Sequence, residues 1–261
     1  MADETDVMID DEGPIRTVIL NRPERMNAFS FGMRVGIEDA LIDFHRRDDL
    51  RVLVLTGNGR GFCAGADLVE GGDLGPKETL WEKTRDRWWY YRAFEMVEKP
   101  TICALNGPVA GGGMGLMLAC DFIVASSAAK IVPAFSRVGI SPDNAVGKNL
   151  PRRIGYNRAL LFLLLGEAVP AEQALEWGLV DRVYEQEAFE EGVASLAVAL
   201  AAVPPVTASL TKRLLRDAPS LPTHLVTSYE QLLVGLSSAS GEGAAARQAL
   251  ASRLSGTDSP R

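Results

Sequence analysis

Histidine and cysteine are scarce in this sequence of 261 residues, which contains two histidines and three cysteines. Cys63, Cys103 and Cys120 lie in apolar or glycine-rich stretches, a pattern typical of buried, reduced thiols rather than of a disulfide framework. Neither His45 nor His224 belongs to a motif. The sequence therefore predicts no Cys–His nucleophile at Cys63 and no metal site.

Long apolar runs and blocks of basic charge are also missing. No run of about 18 apolar residues, the length of a membrane span, occurs, and the acidic N-terminal segment MADETDVMIDDEG has no signal-peptide pattern. The formal net charge of −7 disfavours nucleic acid as a partner, so an anionic ligand must be bound by local groups. Because 47% of the residues are hydrophobic and 23% are charged, we expect a globular, cytoplasmic protein without a nucleic-acid or membrane partner.

The alternation of strand-type and helix-type patterns predicts an α/β protein. Predicted strands lie at residues 7–9, 15–20, 52–56, 101–105, 122–125, 130–132 and 179–183, the first two forming a hairpin. Predicted helices lie at 31–46, 79–97, 156–165 and 171–177. From residue 187 onward the chain is rich in alanine and leucine, which predicts helices broken by prolines, with residues 252–261 disordered.

Glycine marks the first candidate site. The apolar run Thr101–Leu105 leads through Asn106 into a glycine cluster and an apolar segment that ends at Asp121, which predicts a strand, a sharp turn and a helix. The cluster consists of Gly111, Gly112, Gly113 and Gly115. The first N–H groups of such a helix have no internal partner and can bind an oxyanion or a phosphate. Glycines alone are equally typical of tight helix packing, and the spacing does not fit dinucleotide or P-loop motifs.

A second strand also leads into a turn of small residues. The buried strand at 52–56 is followed by the glycine-rich residues 57–61 and then by Phe62-Cys63-Ala64-Gly65-Ala66-Asp67-Leu68. If each of the two turns directs one backbone N–H at the same oxygen, together they form a two-donor oxyanion hole.

These segments resemble the crotonase, or enoyl-CoA hydratase/isomerase, superfamily over residues 7–183. The matching segments are 21–28 (NRPERMNA), 61–68 (GFCAGADL), 106–113, Cys120-Asp121, 135–143 (FSRVGISPD) and 171–180 (AEQALEWGLV). The resemblance implies a crotonase spiral of ββα turns at residues 1–195 and a helical C-terminal region at 196–261 that mediates trimerisation. It further implies a coenzyme A thioester as substrate, no permanently bound cofactor, and a homotrimer or a dimer of trimers.

The resemblance also assigns site residues. The N–H groups of Ala64 and Gly112 are implied as the oxyanion donors, with Asp143 as the catalytic acid. The residues implied to line the CoA thioester are Ala64, Gly65, Ala66, Asp67, Leu68, Gly111, Gly112 and Phe135. Arg22 and Arg25 are plausible phosphate contacts or solvated surface arginines, and the same two alternatives hold for Lys212 and Arg213.

The acids of the site indicate the reaction. Hydratases of the superfamily carry two glutamates, and the equivalent positions here are Gly115 and Phe135, so hydration by that mechanism is not expected. Asp143 resembles the single acid of the double-bond isomerases, which moves a proton from the α to the γ carbon. This role requires a pKa raised by burial. Asp143 could instead cap the following helix, and Asn144 departs from the small residue usual in isomerases.

Isomerisation of an enoyl-CoA double bond is thus the leading functional hypothesis. Alternatives are hydration, dehydration, ring opening or thioester hydrolysis with another carboxylate, or acyl-CoA binding without catalysis. The candidate carboxylates are Glu70, Glu78, Glu82 and Asp86. The aromatic-rich helix predicted at 79–97, which includes Trp88 and Trp89, forms either core and subunit contacts or the wall of a pocket for a bulky acyl group.

Overall fold

The computed structural model describes residues 5–67 and 89–255. The strands are β1 (Val7–Glu12), β2 (Ile15–Leu20), β3 (Val52–Gly57), β4 (Thr101–Leu105), β5 (Val109–Ala110), β6 (Phe122–Ser126), β7 (Lys130–Val132), β8 (Val169–Pro170) and β9 (Arg182–Tyr184). The helices are α1 (Phe31–Arg46), α2 (Trp89–Met96), α3 (Gly113–Ala119), α4 (Val146–Ile154), α5 (Tyr156–Leu165), α6 (Ala171–Glu176), α7 (Phe189–Ala201), α8 (Pro205–Asp217), α9 (Thr223–Ala239) and α10 (Gly241–Leu254).

A six-stranded sheet in the order β1-β2-β3-β4-β6-β9 forms the centre of the fold. The β1–β2 hairpin is antiparallel and every later pair in this sheet is parallel. A smaller sheet in the order β5-β7-β8 lies beside it. Because parallel strands end at the same edge, the turns after β3 and β4 are brought together, as a two-turn site requires. The fold is therefore mixed α/β with a helical C-terminal region, as the sequence predicts.

Both faces of the large sheet are covered, because side chains alternate along each strand. In β3, Leu53 and Leu55 belong to the larger core cluster, which also contains the buried side of α1. Val52 and Val54 point the other way and pack in a second cluster with α7, which contributes Phe189. This two-sided burial explains why the central strands are continuous apolar runs.

Most predicted elements are confirmed, and two are wrong. The hairpin forms with β1 extended to Glu12, and α1 has the predicted bounds. The strand predicted at 179–183 starts at Arg182 instead, because the N–H groups of Leu179 and Val180 donate to the Ala174 carbonyl and end α6. The disorder predicted for 252–261 is wrong for its first part, since α10 continues to Leu254.

The helical C-terminal region is confirmed, while its predicted boundary at residue 195 stays a prediction. Helix α7 runs continuously across that position. Of the helix predicted at 79–97, Trp89–Met96 is helical and residues 79–88 lie outside the described part. Among the described helices, no single one is both long and apolar enough to cross a bilayer. Only the pair Gln186–Ala201 and Pro205–Ser220, bent by 100°, meets that test jointly, by length and composition.

Asp121 ties the C-terminal helices to the sheet. Its Oδ2 accepts hydrogen bonds from the Thr101 N–H (2.9 Å) and hydroxyl (2.9 Å) at the start of β4. The same oxygen accepts from Lys212 Nζ of α8 at 2.7 Å, and Lys212 also donates to the Lys99 carbonyl at 3.0 Å. A single carboxylate thus links a central strand to a helix more than a hundred residues away in sequence.

We expect Lys212→Met to lower the free energy of unfolding by about 1 to 2 kcal/mol, because charge-assisted hydrogen bonds at a partly buried carboxylate are lost. Urea unfolding measures the change. Lys130→Met is the matched control, since Lys130 is exposed and has no recorded partner in the described chain. Equal stability of the two variants would contradict the assignment.

Candidate active site

Asn27 fastens the loop of residues 21–28 to the turn after β3. Its side chain is fully buried, accepts from the Arg22 N–H at 2.8 Å, and donates to the carbonyls of Asn58 (2.9 Å) and Gly61 (2.8 Å). Its φ of +55° lies in the left-handed region, which asparagine tolerates better than most residues. A buried amide with both ends satisfied holds the loop and the turn in one arrangement.

The backbone hydrogen bonds of the second turn correct one predicted donor. The Ala64 N–H donates to the Met26 carbonyl at 2.9 Å and is not available to a ligand. The Ala66 N–H, in contrast, has no hydrogen bond within the described chain. The carbonyl of the preceding residue, Gly65, accepts from the Phe29 N–H at 2.8 Å. The prediction of Ala64 as a donor is therefore wrong, and the available N–H is that of Ala66.

The glycine turn supplies a second available N–H, at Gly112. Its neighbour Gly111 has a φ of +48° and donates to the Val132 carbonyl at 3.1 Å. The Gly112 N–H starts α3 and makes no hydrogen bond to the described residues, as expected at a helix N-terminus. A Cβ on Gly65 would lie 3.0 Å from the Gly112 nitrogen and 2.8 Å from the Ala110 carbonyl oxygen. The two turns thus touch, and this contact brings the N–H groups of Ala66 and Gly112 into one region.

Arg22 and Asp67, both predicted to line the CoA, form a buried ion pair. Arg22 Nη1 lies 3.1 Å from Asp67 Oδ2 and 2.9 Å from the Ala28 carbonyl oxygen, and the two side chains are only 10% and 4% exposed. This pair joins the 21–28 loop to the end of the second turn. Arg25, three residues further along the same loop, is exposed, and its side chain makes no hydrogen bond or ion pair with the described residues. Of the two arginines, only Arg25 is placed to reach a solvent-facing phosphate.

Asp143 does not cap the helix that follows it. Helix α4 begins after Ala145, and no side chain caps its N-terminus. Asp143 Oδ1 instead accepts from Asn144 Nδ2 at 2.8 Å. That same nitrogen would lie 3.2 Å from a Cβ on Gly112, so the Asp143 loop reaches the glycine turn. The structure therefore places the Asn144 amide, which donates to Asp143, beside Gly112, and the N-cap residue of α4 is Ala145 rather than Asp143.

No acid occupies the two hydratase positions. A Cβ on Gly115 would lie 2.4 Å from Asn144 Cβ, so no larger residue fits there without displacing Asn144. Phe135 is buried in the core, and its carbonyl accepts from the N–H groups of Val138 and Ile140. Its predicted contact with the acyl group stays a prediction. Leu68 and the four alternative carboxylates, Glu70, Glu78, Glu82 and Asp86, lie outside the described residues.

Cys63 lies beside the second turn, and its thiol is not a nucleophile near neutral pH. Its side chain is fully buried, and burial raises the pKa of the thiol to about 12. The group is thus protonated near neutral pH, and only the thiolate is an effective nucleophile. Its sulfur accepts a weak hydrogen bond from the Gly65 N–H at 3.5 Å, so its position is structural.

A cavity of about 540 Å³ lies away from the glycine turn, at the opposite end of α3. Tyr91 and Phe94 of α2 line it together with Leu118 at the end of α3. Lys212 lines it as well but is bonded to Asp121, and Arg213 donates to Glu98 at 2.8 Å. For these two basic residues the structure records internal partners rather than a solvated helix face.

Comparison with known proteins shows the family and the fold of this chain. A family model described as enoyl-CoA hydratase/isomerase matches residues 10–240. The chain is 38% identical over 242 residues to the 1,2-epoxyphenylacetyl-CoA isomerase of Escherichia coli K12, covering 90% of this chain and 92% of that protein. It is 36% identical over 220 residues to 4-chlorobenzoyl coenzyme A dehalogenase-2 of an Arthrobacter species, covering 83% and 79%. The crystal structure of enoyl-CoA hydratase subunit I from Geobacillus kaustophilus HTA426 superposes with a TM-score of 0.88 at 33% identity, covering 98% and 97%.

The two arginines of the 21–28 loop should respond differently to the same substitution. Arg22→Met removes the Arg22–Asp67 ion pair from a buried environment, so we expect the free energy of unfolding to fall by about 3 kcal/mol. Arg25→Met should change stability by less than about 0.5 kcal/mol and weaken CoA binding. Urea unfolding and calorimetric titration with CoA measure the two effects. Equal stability losses would show that Arg22 and Asp67 do not form the structural pair described.

Proposed function

The chain belongs to the enoyl-CoA hydratase/isomerase family, whose members act on acyl-CoA thioesters, and we propose that it moves the double bond of an enoyl-CoA. One observation carries the proposal. Among the described residues, the carboxylate of Asp143 is linked through the Asn144 amide to the glycine turn that carries the Gly112 N–H, while positions 115 and 135 hold no acid. A proton shift requires one carboxylate and an oxyanion hole, and these are the groups at this site. Hydration by two glutamates requires acids at positions 115 and 135, which this sequence does not have.

The proposed reaction is a 1,3-proton shift. The thioester oxygen accepts hydrogen bonds from the N–H groups of Ala66 and Gly112, which stabilise the enolate that forms when Asp143 removes the α proton. The electron pair of that C–H bond delocalises through the adjacent double bond, and the Asp143 carboxylic acid delivers a proton to the γ carbon after its own proton has had time to exchange with solvent. The double bond moves from the β,γ to the α,β position without any net gain or loss of atoms.

The oxyanion-hole donors and the carboxylate make separate contributions to the rate, and both are large. One oxyanion-hole donor typically contributes about 2.7 to 4 kcal/mol to transition-state stabilisation. A well-placed general base contributes roughly 10²- to 10⁴-fold in rate. Both donors are backbone groups, so their identity is insensitive to side-chain substitution. The carboxylate is the one replaceable component of the machinery.

We further propose that the acyl group contains an aromatic ring. The support is the chemistry in the names of two relatives, a 1,2-epoxyphenylacetyl-CoA isomerase and a 4-chlorobenzoyl coenzyme A dehalogenase. The aromatic residues of the 79–97 segment would form the wall. Of these, Phe94 is buried in the core and Tyr91 accepts from Asn149 Nδ2 at 3.1 Å, and the part of the segment before residue 89 lies outside the described residues.

A second candidate reaction is hydrolytic dehalogenation of a haloaryl-CoA. It is favoured by the similarity to the Arthrobacter dehalogenases and by the absence of a second acid at position 115. In that case Asp143 would attack the ring carbon as a nucleophile instead of removing a proton; chloride would leave as the aryl ester of Asp143 forms, and water would hydrolyse that ester to the hydroxyaryl product and the free carboxylate. The two reactions are distinguished by their products, since one releases chloride and the other exchanges protons with solvent.

We also propose that the protein is a homotrimer or a dimer of trimers. Helix α5 exposes one apolar stripe with a periodicity of three to four residues. Its members are Tyr156, Leu160, Leu161, Leu164 and Leu165. Helix α9 exposes a second apolar pair on one face, Leu232 and Leu236, while the exposed Val234 lies on another face of the helix. Two distinct unpartnered patches on one chain are what a head-to-tail ring needs, because each copy offers one patch to each neighbour.

The isomerase proposal is tested by proton exchange in D₂O. We expect wild-type protein to exchange the α and γ protons of a 3-enoyl-CoA with an aryl substituent and to shift its double bond, as followed by NMR. Asp143→Asn should lower the rate by about 10²- to 10⁴-fold, because amides do not transfer protons. Asp10→Asn, on the exposed side of β1, is the control and should not change the rate.

Three other outcomes lead to different conclusions. Full activity of Asp143→Asn would refute the role of this carboxylate. Chloride release from 4-chlorobenzoyl-CoA without proton exchange would favour the dehalogenase. Binding of the thioester with neither reaction would favour an acyl-CoA-binding protein without catalytic activity.

The assembly proposal is tested by placing charge on α5. We expect the double substitution Leu161→Glu and Leu164→Glu to convert the oligomer to monomers, because burying two carboxylates in an apolar interface is unfavourable. Light scattering after size-exclusion chromatography gives the molar mass. Met8→Glu on the β1 edge is the control and should leave the mass unchanged. A monomeric wild type would overturn the proposal.

A further inference from the structure

The turn between Asp143 and α4 has an unusual backbone. Asn144 and Ala145, two consecutive residues other than glycine, have φ values of +51° and +57°. The left-handed region costs most L-residues about 1 to 2 kcal/mol, and alanine has no polar side chain that offsets this cost locally. Strain of this kind persists only where surrounding contacts hold the segment in place. The contacts of Asn144 are therefore informative.

The Asn144 side chain turns back onto Asp143. Its Nδ2 lies 2.8 Å from Asp143 Oδ1. The orientation of the amide follows from chemistry, because an ionised carboxylate only accepts and the amide nitrogen is the donor. This is the one hydrogen bond that the Asn144 side chain makes in the described chain. Such a charge-assisted bond both favours the ionised carboxylate and restrains its rotation.

Asn144 is itself seated on the glycine helix α3. A Cβ on Gly115 would approach Asn144 Cβ to 2.4 Å and the Asn144 carbonyl oxygen to 2.8 Å. A Cβ on Gly112 would lie 3.2 Å from Asn144 Nδ2. The backbone oxygen cannot move aside as the end of a flexible side chain can. Residue 144 therefore fits here only because residue 115 has no side chain.

We propose that Asn144 is a positioning residue, seated in the space above Gly115, whose amide holds the Asp143 carboxylate in the ionised state and orientation needed for proton transfer. This inference rests on the proposed function, in which Asp143 is the proton shuttle. It explains together why position 115 lacks the glutamate of the hydratases and why position 144 is larger than the residue usual in the isomerases. The space that a glutamate at 115 would occupy is filled by a donor that serves the remaining acid.

Two substitutions test the role of the amide without disturbing the fold. Asn144→Asp keeps the shape and the tolerance of left-handed φ but replaces the donor by a second carboxylate. Asn144→Gly removes the side chain and relieves the backbone, so its melting temperature should equal or exceed that of wild type. Ser141→Ala, an exposed position on the same loop, is the control.

We expect kcat to fall about 10- to 100-fold in both Asn144 variants, with little change in KM. The acid limb of the pH–rate profile should move to higher pH in Asn144→Gly, because the ionised carboxylate has lost a donor. It should move further in Asn144→Asp, because two adjacent carboxylates share a proton. Ser141→Ala should change neither kcat nor the profile. A merely structural role would lower kcat without moving the acid limb, so an unmoved limb overturns the proposal.

A readout without substrate separates this inference from the proposed function. The ¹³C signal of the Asp143 carboxyl in aspartate-labelled protein, identified by its loss in Asp143→Asn, reports protonation directly. We expect this carboxyl to protonate at lower pH in wild type than in Asn144→Gly. If the titrations coincide, the proposal fails even in an active isomerase. If they differ but no acyl-CoA exchanges protons, the proposed function fails while the Asn144–Asp143 contact stands.

The packing of Asn144 against Gly115 of α3 is tested by Gly115→Ala. An alanine normally stabilises a helix interior by up to about 1 kcal/mol relative to glycine. Here its Cβ would displace Asn144, so we expect Gly115→Ala to reproduce the kinetic loss of Asn144→Gly. The double variant should lose no more than about twofold beyond Asn144→Gly, because both changes remove the same contact. Multiplication of the two losses would show that Gly115 and Asn144 act independently.

Discussion

The close contact between two backbone turns is the constraint on which the site depends. The turn after β3 and the glycine turn after β4 approach so closely that a Cβ on Gly65 would lie 2.8 Å from the Ala110 carbonyl oxygen. Only glycine permits that approach, and the φ of +89° at Gly65 adds a second reason. The contact directs two unpaired N–H groups, at Ala66 and Gly112, into one region. The 21–28 loop, held by Asn27 and by the Arg22–Asp67 pair, fixes the second turn from the other side.

Much of this arrangement is predictable from the sequence, because glycine placement and strand patterns are local signals. The two strand-to-turn units and the bounds of α1 follow from apolar periodicity and turn chemistry. The choice between Ala64 and Ala66 does not, since it depends on which carbonyl each N–H meets. Met26, nearly forty residues earlier, accepts from Ala64 and leaves Ala66 unbonded. Hydrogen bonds between distant segments therefore decide which N–H is available to a ligand, and the motif alone does not.

For the acidic residues of the site, too, some features can be predicted from the sequence and others depend on the tertiary structure. The lack of a carboxylate at position 115 is visible in the sequence, and so is Asp143. That Asn144 occupies the space above Gly115 is visible only when α3 and the loop before α4 are placed together. The capping interpretation of Asp143 failed for a related reason. Left-handed φ values at Asn144 and Ala145 delay the start of α4, so Ala145 takes the N-cap position and Asp143 meets Val146 through its backbone carbonyl, at 3.0 Å.

The unfavourable features of the molecule are concentrated at these turns. The N–H groups of Ala66 and Gly112 have no acceptor among residues 5–67 and 89–255, and Ala145 is strained, while apolar side chains elsewhere are buried in two core clusters. Unpaired donors and strain each cost on the order of 1 to 3 kcal/mol, which a domain of this size tolerates. A thioester oxygen would satisfy both donors at once, and more strongly as it gains negative charge. The features that weaken the folded protein are thus the ones that a developing enolate would stabilise, and this coupling favours a catalytic role over passive binding.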